Sequence, residues 1–199
     1  MNIITYANVF GALSTLMILF SRTNYLNGIF RGKVRPHAFA WLIWGVISAV
    51  GFTAQVSQGA GAGSWARGFA CFTSFIIFIL AFMKGERHVK RSDWATLIIA
   101  LCAVPLWMAT KTPVWSVVLV CLIDILGCYP TLRKSWGKPY EETAKSYVLS
   151  GVSALFAIIA IENYTMSTWL YPAEGVCTNI FIVGFLIWRR HILRAKSGA

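Results

Sequence analysis

The stretch VCLIDILGCYPTLRKSW, residues 120–136, decides the fold. It begins as an apolar run that contains a carboxylate, Asp124, and it ends in a proline, Pro130, followed by a basic patch. A proline and basic residues after an apolar segment are typical of a helix that ends at a membrane surface. The stretch therefore predicts a membrane-spanning helix with one acidic side chain inside it.

The composition of the whole chain agrees with that interpretation. Of 199 residues, 57% are hydrophobic and 13% charged, and the mean hydropathy is +0.64. These values are typical of membrane proteins and exclude an ordinary soluble domain. A helix needs about 20 mostly apolar residues to cross a bilayer. Segments near that length lie at 3–20, 38–57, 64–83, 94–110, 113–130, 144–162 and 167–188.

The fold class predicted from these segments is an all-α membrane protein with seven transmembrane helices in a single membrane domain, residues 1–199. Because no basic residue precedes the first segment, we expect it to be retained as a helix and not cleaved as a signal peptide.

The basic residues predict the orientation. The chain has 18 Lys and Arg against 7 Asp and Glu, a net charge of +11. Most of the basic residues follow predicted helices one, three, five and seven, among them Arg22, Arg31, Lys33, Arg35, Lys84, Arg87, Arg133, Lys134, Lys138, Arg189 and Arg190. Only Arg67 and Lys111 fall on the other side. The positive-inside rule then places the amino terminus outside and the carboxyl terminus in the cytoplasm.

The same basic loops indicate which partners to expect. Their charge favours contact with anionic membrane lipid, whereas the chain offers no basic aromatic platform for nucleic acid. The five cysteines and three histidines are scattered, and no phosphate loop, nucleophile elbow or metal-ligand motif occurs. We therefore expect no disulfide, no metal and no cofactor. No nucleophile lies beside a base, so we do not expect an enzyme.

The chain also shows a weak internal repeat. A shift of 106 positions superposes helix two on helix six and helix three on helix seven without a gap, matching Gly45 with Gly151, Cys71 with Cys177, Phe75 with Phe181 and Leu80 with Leu186. The loops YLNGIFRGKVRP (25–36) and YPTLRKSWGKPY (129–140) each carry a tyrosine, a Gly-Lys pair and a proline.

We predict two three-helix repeats, residues 1–85 and 112–192, joined by a linker helix at 91–110. Three helices per repeat plus one linker let both repeats enter the membrane from the same side. The repeats are then parallel, and they enclose a central cavity.

This 3+1+3 arrangement resembles the PQ-loop group of transporters, which includes the SWEET sugar carriers. In that group a Pro-Gln pair ends the first helix of each repeat, and the proline is a hinge during alternating access. Pro130 matches that proline, but Thr131 replaces the glutamine, and the first repeat has Leu26 and no proline. The stretch at 34–65 also resembles bacterial seven-helix membrane proteins, which implies a bacterial inner membrane.

Asp124 is the first candidate site residue. It lies about eleven residues into helix five, near the middle of the bilayer at ~1.5 Å per residue. A charge there costs at least ~2.5 kcal/mol, so such a residue usually serves a substrate, an ion or a proton. The alternative is a structural carboxyl that bonds to a neighbouring helix.

Glu174 and Arg67 occupy nearly equivalent repeat positions. They could form an outer gate or hold the two ends of a zwitterion, and alternatively Arg67 reaches the headgroups. The resemblance to SWEET carriers implies four further residues by position, Thr73, Asn179, Trp44 and Ser150. The alternative for these four is packing or bonding between helices.

We predict from these residues a carrier of a small polar solute, a sugar, an amino acid, a vitamin or a nucleoside, working by alternating access and coupled to protons through Asp124. The alternative is a non-transporting receptor of the KDEL-receptor type, which would bind a peptide or a lipid headgroup in the same cavity. The direction of transport and the oligomeric state stay open.

Overall fold

The computed structural model describes residues 3–86, 90–109 and 113–197, and within them the chain is all helical. Seven α-helices follow one another: α1 Ile3–Phe30, α2 Ala38–Ser57, α3 Trp65–Lys84, α4 Arg91–Ala109, α5 Pro113–Gly137, α6 Ala144–Ile159 and α7 Met166–Ser197. Short 3-10 turns, Gly61–Ser64 and Pro139–Glu141, precede α3 and α6. The prediction of a seven-helix, all-α chain is confirmed, while Arg87 and Lys111 lie outside the described residues.

Three of the helical stretches are long and apolar enough to cross a membrane: Ala38–Ser57, Gly61–Lys84 and Met166–Ala195. Their outward faces carry large apolar side chains, since Phe72 is 66% exposed and Phe82 is 69% exposed. A surface of this kind fits a membrane protein, because soluble monomers rarely expose extended apolar patches.

Three helices run further than the apolar segments predicted: α7 continues beyond residue 188 to Ser197, and α1 and α5 continue against neighbouring helices. α1 continues beyond residue 20 to Phe30, and α5 continues through Pro130 to Gly137. The apolar pattern measures the length that can lie in lipid, whereas the helix ends where its side chains stop finding partners. Polar residues in the extensions of α1 and α5 are buried against neighbouring helices, among them Ser21, Tyr25, Thr131, Lys134 and Ser135.

The helices pack in two groups of three. α3 packs against both α1 and α2, and α7 packs against both α5 and α6. The groups meet along two long contacts, α1 with α6 and α2 with α5. α4 lies outside both groups and packs on α5 and α2.

The two ends of the bundle differ in charge. We call the end where α1, α3, α5 and α7 finish the basic end, because Arg31, Lys33 and Lys138 lie exposed there. The opposite end holds the loops α2–α3 and α6–α7, which are joined by a hydrogen bond from the Ala62 amide to Glu162 Oε1 (3.2 Å).

Candidate functional site

A cavity of about 110 Å³ lies between the two groups of helices. Helices α1, α2, α3, α5, α6 and α7 all contribute to its wall. Part of that wall is apolar, and the rest is polar or charged. We call this space the central cavity.

The central cavity collects most of the site residues that the sequence predicted. Trp44, Arg67, Asp124, Ser150 and Asn179 all line it, although they come from five different helices. They reach one space because the wall is built where the two groups of helices face each other.

Thr73 and Glu174 are not part of the cavity wall. The Thr73 hydroxyl donates to the carbonyl of Phe69 (2.9 Å) within its own helix. Glu174 lies behind Thr178, whose hydroxyl donates to Glu174 Oε1 and which itself lines the cavity. Thr73 therefore has a structural bond, and Glu174 is one side chain removed from the space.

Asp124 has acidic and aromatic neighbours. Its carboxyl lies beside that of Glu174 and beside the Trp44 indole, and only 8% of the residue is exposed. The close approach of α5 to α2 depends on Gly127, because a Cβ there would lie 2.9 Å from the side chain of Ile43. Sequence reasoning predicted both carboxylates but did not predict that they are neighbours.

Arg67 points into the bundle and not toward an outer surface. Its guanidinium carbon lies 3.7 Å from the centre of the Tyr171 ring, a cation–π contact. Tyr171 is fixed in turn against Gly51, where a Cβ would lie 2.3 Å from the ring. The charge of Arg67 is close to both Asp124 and Glu174.

Arg22 is the main residue that sequence reasoning misplaced. The sequence assigned it to a basic loop, but α1 ends at Phe30, eight residues later and about 12 Å along the helix. Its guanidinium lies 4.8 Å from the Trp41 ring, it lines the central cavity, and its buried Nε has no hydrogen-bond partner. The polar residues Ser14, Ser21 and Asn24, spaced seven and three apart, were a signal that the helix continued past residue 20.

Those polar residues hold α1 to α6. Ser14 donates to the Ser153 carbonyl (2.7 Å), and Ser153 donates back to the Ser14 carbonyl (2.8 Å). About two turns further along α1, the hydroxyls of Ser21 and Ser150 share a bond of 2.7 Å. Small polar residues at a helix interface let the backbones approach closely, as is common in membranes. Ser150 therefore has a structural bond as well as a place in the cavity wall.

A buried acid closes the cavity toward the basic end. Glu142 forms an ion pair with Lys134, in which each side chain is only 1% exposed. It also accepts hydrogen bonds from Tyr25 (3.1 Å) and from Tyr147 (3.2 Å), and Tyr147 lines the cavity. Lys134 donates to the Arg35 carbonyl (2.6 Å). This cluster, which we call the Glu142 cluster, joins α1, α5 and α6.

A second buried acid attaches α4 to the rest of the bundle. Asp93 accepts two bonds from Arg133 (2.8 and 2.6 Å), and His37 Nε2 lies 3.3 Å from Asp93 Oδ2. Burial lowers the pKa of His37. The Asp93 carboxylate opposes this shift, and the positive charges of Arg133 and Lys134 add to it. His37 lies immediately before α2, so the contact connects α2, α4 and α5.

Within the part of the chain that the structure describes, no three His, Cys, Asp or Glu side chains are grouped to hold a metal ion. No protein-family model, curated protein or solved structure matches the chain. The geometry of the central cavity is therefore the basis for assigning a function.

Proposed function

We propose that the chain is a seven-helix integral membrane carrier that moves a small polar solute through the central cavity by alternating access. The observation that carries the proposal is a charged cavity inside a bundle whose outer face is apolar. Arg22, Arg67 and Asp124 reach this cavity, while Phe72 and Phe82 face outward. Ionisable side chains inside a membrane bundle are costly, and they usually mark a path for a solute or an ion.

The order of helix contacts supports two related halves. α3 lies against α1 and α2 as α7 lies against α5 and α6, and the contact of α1 with α6 has its counterpart in that of α5 with α2. Under a pseudo-twofold axis, α1, α2 and α3 correspond to α5, α6 and α7. This is the correspondence expected for the repeats 1–85 and 112–192 with a linker helix. It favours the PQ-loop type of carrier, with Pro130 as the hinge of α5.

The charge distribution supports a membrane protein with its basic end in the cytoplasm, and the resemblance of the stretch at 34–65 implies a bacterial inner membrane. Lys33, Arg35 and Lys138 lie exposed at that end and would face anionic lipid. The Glu142 cluster would then separate the cavity from the cytoplasm, and its bonds would have to break when the cavity opens to that side.

Asp124 is the residue that we assign to proton coupling, with Glu174 as its partner. Two neighbouring carboxyls do not readily carry a negative charge each, so the pair holds one proton. The approach of a cation would release that proton. Burial of Asp124 between Trp44 and Glu174 gives the proton a defined place.

The test is solute uptake by proteoliposomes that contain the purified full-length chain. We expect a proton gradient to drive accumulation, and Asp124→Asn to abolish accumulation while exchange of solute across the membrane survives. Glu141→Gln is the matched control, because it makes the same acid-to-amide change at a partly exposed residue outside the cavity wall. Accumulation by Asp124→Asn at the parental level would exclude the coupling role. No movement of any solute, together with tight binding of a peptide or a lipid headgroup, would favour the receptor instead.

A further inference from the structure

Two basic and two acidic side chains are grouped at the central cavity: Arg22, Arg67 and Asp124 line it, and Glu174 lies beside Asp124, one side chain removed from the space. Arg22 and Arg67 belong to α1 and α3, whereas Asp124 and Glu174 belong to α5 and α7. We propose that the cavity binds a small zwitterion, with its anionic group on the two arginines and its ammonium group on Asp124, which Glu174 supports from behind the wall. The inference rests on the proposed function, because it names the solute class for the same site.

The two arginines offer free hydrogen-bond donors to an anion. Their charges lie close to each other, and neither guanidinium is within 4 Å of a carboxylate among the described residues. Each is held on an aromatic face, Arg22 on Trp41 and Arg67 on Tyr171. Stacking of this kind uses the flat face of the guanidinium and leaves its N–H edge available for a planar, bidentate partner such as a carboxylate.

The two carboxyls offer acceptors to an ammonium group. Asp124 lies beside Glu174, and Glu174 Oε2 is buried without a hydrogen-bond partner. An ammonium group has three donors and one positive charge, so it can bond to Asp124 in the wall and balance the negative charge of the acid pair. A neutral polyol carries no charge, so it would leave the charges of the arginine pair and of the acid pair uncompensated.

Other features limit the size of the solute. A cavity of about 150 Å³ is enough for benzene, and the central cavity is about 110 Å³. This volume suits a solute as small as alanine. Gln55, which is 1% exposed, lines the same space, and its Oε1 has no partner, so it can accept a further hydrogen bond from the solute.

The test uses four probes of similar size on the detergent-purified full-length chain: alanine, alaninamide, propionate and glycerol. Alaninamide lacks the carboxylate, propionate lacks the ammonium group, and glycerol lacks both. Calorimetric titration should show that alanine binds at least roughly tenfold more tightly than each of the others, because each lost partner leaves a charged group unpaired.

A matched pair of variants assigns the carboxylate end. Arg67→Gln should weaken alanine binding by roughly tenfold to a hundredfold and should leave alaninamide binding nearly unchanged. Arg31→Gln, an exposed change at the basic end, should leave both unchanged. A variant that has merely lost stability would bind both alanine and alaninamide more weakly. The comparison therefore separates a binding role of Arg67 from a structural one.

Three outcomes would overturn the inference: glycerol binding as tightly as alanine, alaninamide binding as tightly as alanine, or no binding of alanine at tens of millimolar. If Arg67→Gln does not fold, the four probes on the parent chain decide alone. Binding of alanine without its uptake by proteoliposomes would remove the carrier and leave the zwitterion site. Uptake of a neutral sugar without binding of alanine would exclude the zwitterion site and support the carrier.

Discussion

Replacement of Glu142 by glutamine tests the Glu142 cluster most severely. The change keeps the size of the side chain and removes its charge. Lys134, which is 1% exposed, would keep the Arg35 carbonyl at 2.6 Å but lose its ion pair. Breaking a buried pair by removal of one partner costs about 3–5 kcal/mol.

Thermal unfolding in detergent, followed by tryptophan fluorescence, measures the loss. In a chain of this size, about 1 kcal/mol shifts the Tm by roughly 2–4 °C, so Glu142→Gln should lower it by roughly 6–20 °C. The matched control is Glu141→Gln at the next position, where the pair with Arg35 spans 3.9 Å and is partly exposed. An exposed pair contributes at most about 1 kcal/mol.

The double variant Lys134→Met with Glu142→Gln supplies a second check. Removal of both charges leaves no unpaired ion, so part of the lost stability should return. Equal small shifts in Glu142→Gln and Glu141→Gln would refute the reasoning, because they would mean that the buried pair contributes no more than an exposed one.

Two further predictions concern other parts of the bundle. Burial lowers the pKa of His37, so the folded chain takes up a proton there at a lower pH than the unfolded chain, whose histidine titrates near pH 6.5. Stability should therefore fall as the pH drops below about 6.5. His37→Gln should flatten this fall, whereas His191→Gln at the exposed end of α7 should leave it as it is. Gly11→Ala should destabilise the chain by about 1–3 kcal/mol, because the new Cβ would lie 2.8 Å from a backbone oxygen of the α2–α3 connection. Gly184→Ala, with open space around it, should stabilise α7 by up to about 1 kcal/mol. Thermal unfolding measures both changes.

The helices were predictable because apolar length is a strong local signal. The segment at 38–57 matches α2 at both ends, and the predicted start of helix five matches that of α5. The ends of α1 and α5 were not predictable in the same way. They depend on partners such as Ser146 for Asn24, which lie more than a hundred residues away.

The site was predictable in part for a related reason. A charge inside an apolar run, such as Asp124, is conspicuous in the sequence, and the resemblance to SWEET carriers implied Trp44, Ser150 and Asn179 by position. Arg22 and Glu142 lie next to basic or polar loops, where a charged residue is ordinary. Only the packing of α1 against α6 shows that both are enclosed.

Alternating access requires that the cavity open to each side of the membrane in turn. It is tested most directly by a cysteine at Ala154, which lines the cavity, in a chain whose native cysteines are replaced. A membrane-impermeant maleimide is applied to proteoliposomes of known orientation from one side and then from the other. Leu155→Cys, on the exposed outer face of α6, is the control. A carrier that works by alternating access should be labelled at Ala154→Cys from both sides, and bound solute should protect the cysteine from both. Labelling from one side only would contradict alternating access.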